Sequence, residues 1–244
     1  MSDIRLYVET PLNHGGEISL DKGQSHYLAN VMRRSVGDAV LLFNGRDGEW
    51  RASIASAAKK EVRLALQTQI RPQPEEPDLW LMFALLKRGP VDLIAEKATE
   101  LGVTRMLPVI TDRTNSDRIN TDRLSAITRE ASEQCGRLTV PSIDASQPLR
   151  QVFREWPSDR PVILMNETGT GRSVAHAMKA HIGKPGTILI GPEGGFSPEE
   201  LDALANLDFV TSASMGRRLL RAETAAIAAM TVWQAVAGDW VEKS

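Results

Sequence analysis

Residues 187–200 read Thr-Ile-Leu-Ile-Gly-Pro-Glu-Gly-Gly-Phe-Ser-Pro-Glu-Glu, and they contain a strand, a glycine-rich turn and a helix start. Residues 187–190 form a short apolar run without polar alternation, which is typical of a strand buried on both faces. Ser197 precedes a proline and is followed three residues later by a glutamate, the pattern of a capped helix N-terminus. A buried strand that leads through a glycine loop into a helix predicts an α/β fold.

The same alternation of strand and helix extends over residues 73–244. Short apolar runs predict further strands at 79–86, 106–110, 162–165 and 209–213. Apolar residues at helical spacing predict helices around 91–101, 122–138 and 222–238. Because strands and helices alternate, we expect a parallel sheet covered by helices on both faces.

The first 72 residues have a different character. Apolar or alternating runs predict strands, residues 44–48 have the composition of a hairpin loop, and residues 26–34 predict one short helix. A small barrel with one helix is therefore expected. Residues 71–78 contain three prolines and three acidic residues, which indicates a stiff linker between a domain of residues 1–72 and a domain of residues 73–244.

The composition limits the classes of function. The 244 residues carry a net charge of −2, and a single cysteine excludes a disulfide framework and a cysteine-based zinc cluster. No apolar run approaches the roughly 20 residues of a membrane span, so we expect a cytoplasmic protein without a membrane partner. Residues 1–72 hold ten Lys and Arg against eight Asp and Glu, an excess that permits a polyanionic partner.

Each of three predicted strands is followed by a loop with glycine and a carboxylate, namely Glu167, Glu193 and Glu223. Ligands of open α/β sheets bind at the carboxyl ends of the strands. Carboxylates disfavour a pyrophosphate, and they suit a ligand with ribose hydroxyls, an amino group or a positive centre, such as S-adenosylmethionine. Two alternatives stay open: the glycine pair forms only a tight turn, and Glu223 only complements a helix dipole.

Motifs along essentially the whole chain resemble one enzyme family. They include residues 26–28 and 31–33, residues 96–103, residues 190–197, and Met215-Gly216 through Thr224. The chain resembles the bacterial 16S ribosomal RNA (uracil-1498) N3-methyltransferases of the SPOUT superfamily. This resemblance implies an N-terminal PUA-like, RNA-binding β-barrel and a C-terminal S-adenosylmethionine-dependent methyltransferase domain with a trefoil knot.

The resemblance also implies partners and alternatives. It implies a homodimer that acts on 16S rRNA or on the 30S ribosomal subunit and needs no metal. A SPOUT enzyme that modifies tRNA and a noncatalytic RNA-binding protein are the competing interpretations.

Site residues carry over from the resemblance by position in this sequence. Cofactor contacts are expected from Met165, Glu167, Ile190, Gly191, Glu193, Gly194, Gly195, Met215, Gly216, Leu220 and Thr224. Catalytic roles are expected for Arg218, Arg221 and Glu223, and contacts to RNA for Arg5, Arg33, Arg113 and Arg137. A solvated surface cluster is the alternative interpretation of the arginines. The sequence identifies no general base.

Overall fold

The glycine loop at residues 44–48 joins two antiparallel strands, as its composition predicts. The computed structural model describes residues 3–58, 61–114, 118–169 and 171–241. Its first unit comprises Met1–Glu75 and Ser132–Val140. The strands of this unit are β1 (Ile4–Tyr7), β2 (Glu17–Ser19), β3 (Ala39–Phe43), β4 (Glu49–Ala58) and β5 (Glu61–Arg71).

These strands form a five-stranded sheet in the order β1-β3-β4-β5-β2. β1 lies parallel to β3, and the other neighbours pair antiparallel. The inward-facing residues form one apolar cluster that includes Leu6, Leu28, Val40, Leu42 and Leu64.

The helix of this unit differs from the predicted span of residues 26–34. Helix α1 (Lys22–His26) begins earlier, because the Asp21 side chain accepts a hydrogen bond from the backbone N–H of Gln24 and caps it. The chain continues as a π-helical turn over Tyr27–Val31. It ends before Arg33, the one non-glycine residue with a positive φ (+50°) among the described residues.

A buried carboxylate holds a cluster of arginines in the first unit. Glu49 accepts from Arg5 Nε at 2.6 Å and from Arg71 Nε at 2.7 Å. Arg5 also donates to the carbonyl oxygens of Ser132 and Arg137, each at 2.8 Å. Burial raises the pKa of Glu49, but the hydrogen bonds from Arg71 and Arg5 outweigh it, so the pKa lies below its usual value. Arg5, with 11% of its side chain exposed, is thus a structural cross-link within the first unit, and its contact with RNA stays a prediction.

The second unit comprises Glu76–Ala131 and Pro141–Ser244, so residues 132–140 of the predicted second domain lie in the first unit instead. Its strands are β6 (Leu79–Ala84), β7 (Arg105–Ile110), β8 (Ser142–Ile143), β9 (Gln147–Pro148), β10 (Val162–Met165), β11 (Arg172–Ser173), β12 (Gly186–Ile190) and β13 (Val210–Ser214). Its helices are α2 (Arg88–Glu100), α3 (Thr121–Cys135, whose last four residues belong to the first unit), α4 (Leu149–Arg154), α5 (Val174–Lys179), α6 (Pro198–Ala205) and α7 (Ala222–Val236).

The predicted parallel sheet is confirmed. Its strands follow the order β11-β13-β10-β12-β6-β7-β8, with β9 beside β7, and all pairings are parallel. β10 and β12 are buried throughout, as their apolar sequences predict. β13 is less buried than predicted, because only the two-residue β11 covers its outer side.

Helices pack against both faces of this sheet. Leu81 and Phe83 of β6 face a cluster that contains apolar residues of α2 and α7. Met82, between them, faces the opposite cluster, which contains Phe196 and Leu204 at helix α6. Successive residues of a strand point to opposite faces, so one buried strand contributes to two cores.

The helix predicted after Ser197 is present with the expected cap. The Ser197 side chain accepts from the N–H of Glu200, and the Glu200 side chain accepts from the N–H of Ser197. This reciprocal pair satisfies two backbone donors at the start of α6 and fixes where the preceding glycine loop ends.

None of the helices in the described ranges is long and apolar enough to cross a membrane.

Candidate functional site

Three neighbouring parallel strands, β10, β12 and β13, lead at their carboxyl ends into loops around one cavity of about 220 Å³. The predicted residues that line it are Met165, Glu167, Ile190, Gly191, Glu193, Gly195, Met215, Gly216, Arg218, Leu220 and Arg221. These residues are far apart in the sequence, and the parallel sheet brings them together because its strands end at the same edge.

The loop after β12 makes a tight turn at the cavity wall. The N–H of Gly195 donates to the carbonyl oxygen of Pro192 at 2.9 Å, and Gly195 has a φ of +69°. Glu167 Oε1, from the loop after β10, accepts from the N–H of Phe196 at 3.1 Å. A Cβ added to Gly195 would lie 2.2 Å from this oxygen. Glycine is therefore favoured here by the backbone conformation, and a Cβ would also force the flexible end of the Glu167 side chain to shift.

The loop after β7, outside the cavity, supports the same turn. Arg113 Nη1 donates to the carbonyl oxygen of Gly194 at 2.9 Å. Asp112 accepts from Ser197 Oγ at 2.8 Å, and its N–H donates to Glu200 at 2.9 Å. Two loops and the capped start of α6 thus hold the glycine turn in one conformation.

The cavity wall combines apolar surface with both signs of charge. Met165, Ile190 and Met215 supply apolar surface. Two carboxylates, Glu167 and Glu193, and two guanidinium groups also line the wall. Such a wall can hold an uncharged ring system and also pair with hydroxyl, amino and charged groups of a ligand.

Three of the residues predicted to contact the cofactor or to be catalytic do not line this cavity. Gly194 faces outward, since a Cβ added there would meet Arg113 at 3.6 Å, an ordinary contact. Glu223 lies in the first turn of α7, where a carboxylate complements the helix dipole, as its alternative interpretation proposed. Thr224 lies on the same turn and is exposed. The cavity lining therefore lends no support to the roles predicted for these three residues, and those roles stay predictions.

The prediction also missed lining residues, namely Asn166, Pro192, Leu219, Ala222 and Ala225. Asn166 is held by a hydrogen bond from its Nδ2 to Ser212 Oγ at 3.1 Å. These residues lie within or beside the three predicted loops, and this position was the signal in the sequence that they could line the cavity. Which side chains of a loop point inward depends on its backbone conformation, and the sequence pattern does not specify that.

The remaining arginines predicted to contact RNA are not among the residues that line this cavity. Arg33 is exposed, directly after the π-helical turn of the first unit. Arg137, in the same unit, donates from Nε to Thr139 Oγ1 at 2.8 Å and is partly buried. Arg113 is exposed in the second unit.

Within the described ranges, no group of three or more His, Cys, Asp and Glu residues is placed to hold a metal ion.

Comparison with known proteins identifies the family. A model of the RNA methyltransferase domain matches residues 74–234, and a model of the RNA methyltransferase PUA domain matches residues 20–67. A relative from Rickettsia conorii, ribosomal RNA small subunit methyltransferase E, is 33% identical over 228 residues, which are 93% of each chain. The chain belongs to this RNA methyltransferase family.

Solved structures of similar proteins support the assignment to this family. A putative methyltransferase from Legionella pneumophila, in complex with S-adenosylmethionine, is 30% identical with a TM-score of 0.85, and the match covers 98% of this chain and 100% of that one. A ribosomal RNA small subunit methyltransferase E from Neisseria gonorrhoeae, bound to S-adenosylmethionine, has a TM-score of 0.87 at 24% identity, with the same coverage. The second likeness shows that the methyltransferase fold is shared.

Proposed function

We propose that this member of the RNA methyltransferase family transfers a methyl group from S-adenosylmethionine to N3 of a uridine in 16S ribosomal RNA. The observation that carries the proposal is the convergence of three strand-end loops on one cavity with two carboxylates and two arginines. The relative from Rickettsia conorii is a small subunit rRNA methyltransferase by name, which supports rRNA as the substrate.

The residues of the cavity fit S-adenosylmethionine. Met165, Ile190 and Met215 supply apolar surface for the adenine, and Glu167 and Glu193 are acceptors for ribose hydroxyls or for the amino group. The turn at residues 192–195 lets the backbone approach the ligand closely. When bound, this cofactor supplies a methyl group on a positively charged sulfur.

Arg218 and Arg221 face the same cavity from the loop before α7 and are exposed. Uracil N3 is a poor nucleophile while it carries its proton, so the base must become an anion before it accepts a methyl group. Guanidinium groups beside the base stabilise that anion, which is the role we propose for these two arginines. N3 lies on the Watson–Crick edge, so the target base must be unpaired when it reaches them.

The first unit supplies affinity for RNA in this proposal. The family model matches a PUA domain there, and Arg33 is exposed at a backbone position that costs conformational energy. Local strain of this kind is often found at functional sites. Arg113 and Arg137 are the further proposed contacts. The proposed division of roles assigns RNA binding to residues 1–72 and methyl transfer to residues 73–244, except for residues 132–140, which lie in the first unit.

The decisive experiment is transfer of radiolabelled methyl groups to purified 16S rRNA, 30S subunits and tRNA, followed by nucleoside analysis. We expect 3-methyluridine in 16S rRNA, free or within the 30S subunit. Label in tRNA would indicate the alternative SPOUT activity. Absence of label from all three, with RNA binding retained, would indicate a noncatalytic RNA-binding protein.

The trefoil knot, the barrel and the homodimer implied by the resemblance are also proposals. Family membership supports them. Light scattering coupled to size-exclusion chromatography tests the dimer, since a mass of 26.8 kDa would indicate a monomer and about twice that mass a dimer.

A further inference from the structure

A second cavity, of about 540 Å³, opens in the same unit at the carboxyl end of β6. Its floor is apolar, with Leu85, Leu86, Val91 and Ile119, and its volume falls in the range of ligand-binding pockets. Glu193 lines this cavity and also the first one, and β6 pairs with β12, the strand that leads to Glu193. The two cavities are therefore neighbours that share one wall residue.

The rim of the second cavity is cationic. Lys87, Arg88, Arg118 and Arg123 line it, against the single carboxylate of Glu193. Asp92, behind the rim, pairs with Arg123 and lies 3.9 Å from Arg88 Nε. Even with Arg118 left out and both Glu193 and Asp92 included, the three other cations outnumber the two acids, so this pocket attracts anions.

The start of helix α2 adds to this preference. Lys87 is its N-cap residue, without a side-chain hydrogen bond to the first turn, and this turn contains no acidic residue. Helix α6 is the opposite case, because it has a capping box and two acids in its first turn. Cations at the positive end of a helix dipole are unfavourable, and a bound anion would offset that cost.

We infer that this basic pocket binds a backbone phosphate of the RNA substrate, so that the target base lies beside Glu193 and faces the methyl-donor cavity. The inference rests on the proposed function. Lys87 and Arg88 contact the phosphate from the helix start, and the apolar floor lies beneath the nucleotide. The ligand class follows from the charge, the volume and the position next to the first cavity.

The test compares two double variants that remove the same charges. Lys87→Gln with Arg88→Gln alters the pocket, whereas Arg154→Gln with Lys179→Gln removes one arginine and one lysine that are exposed in the same unit and line neither cavity. The Kd for 16S rRNA is measured over a range of salt concentrations. The Kd for S-adenosylmethionine, kcat and the KM for RNA are also measured.

We expect the pocket variant to bind RNA roughly tenfold more weakly, the size of one charge-assisted hydrogen bond. Its log–log salt slope should fall by about 0.7 for each lost phosphate contact. KM for RNA should rise, while kcat and the affinity for S-adenosylmethionine stay as in the unmodified protein.

Equal RNA affinity and equal slope in the two variants would overturn the inference. Weaker binding of S-adenosylmethionine in the pocket variant would also overturn it, because the residues would then belong to the first cavity. The unmodified protein could fail to methylate any RNA, while RNA affinity and salt slope fall only in the pocket variant. This combined result would contradict the proposed function and support the phosphate site.

Discussion

Replacement of Gly195 by alanine tests whether the turn after β12 shapes the cofactor cavity. Alanine at a φ of +69° is strained, and its Cβ would lie 2.2 Å from Glu167 Oε1. Glu167 must therefore move, and its hydrogen bond from the N–H of Phe196 is lost. Both effects act on the wall of one cavity.

The magnitude follows from these two effects. The left-handed conformation costs about 1–2 kcal/mol for a residue with a Cβ. A lost hydrogen bond costs about 1 kcal/mol, which gives about 2–3 kcal/mol together. If the free loop relaxes and must be restored on binding, the affinity for S-adenosylmethionine falls roughly 30- to 150-fold. If the loop cannot relax, the same free energy is lost from the free energy of unfolding instead.

Two measurements therefore distinguish a loss of affinity from a loss of stability: calorimetry of S-adenosylmethionine binding, and urea unfolding without ligand. Gly194→Ala is the matched control, since its Cβ would make only an ordinary contact with Arg113 at 3.6 Å. We expect the control to change both quantities by less than about 0.5 kcal/mol. For Gly195→Ala, the losses in the free energy of S-adenosylmethionine binding and in the free energy of unfolding are added. A sum below about 0.5 kcal/mol, or an equal sum for Gly194→Ala, would refute the reasoning.

Three other substitutions test the remaining assignments. Arg33→Ala should weaken RNA binding and lower the log–log salt slope by about 0.7 without affecting S-adenosylmethionine, and an unchanged slope would mean that Arg33 is only solvated. Arg221→Ala should lower kcat at saturating RNA. An unchanged rate constant for methyl transfer in single-turnover assays would exclude its role in stabilising the base anion. Glu49→Gln should destabilise the protein by about 2–4 kcal/mol at pH 7, because it leaves the largely buried Arg5 guanidinium without its carboxylate. The folded-state pKa of Glu49 is lowered, so this loss should be full well above pH 4.5, the usual pKa, and shrink as the pH falls through the folded pKa. Glu61→Gln, in an exposed pair with Arg63, should cost less than about 1 kcal/mol at any pH, and an equal effect of the two substitutions in urea titrations would contradict the assignment.

The sequence determined the elements whose signals are local. The buried strands β10 and β12, the hairpin at residues 44–48 and the capped start of α6 are present because apolar runs, turn residues and caps act within a few residues. The helix at residues 26–34 was only partly predicted. Its start depends on the Asp21 cap, and its end follows a π-helical turn that no periodicity indicates.

The tertiary structure decided which polar residues share a site. Glu167, Glu193 and Glu223 have the same pattern in the sequence, yet only the first two line the cavity. Glu223 is already within helix α7, so the direction of its side chain is set by the helix and not by the loop.

The tertiary structure also decided the surroundings of Arg5 and Gly194. Arg5 looks like a surface cation in the sequence, but residues 132–137 and Glu49, which are distant along the chain, surround its guanidinium. Gly194 and Gly195 are adjacent and identical, and only Gly195 approaches Glu167. Sequence patterns report on neighbours within a turn or a strand, whereas burial, pairing and the direction of a side chain depend on segments that only the folded chain brings together.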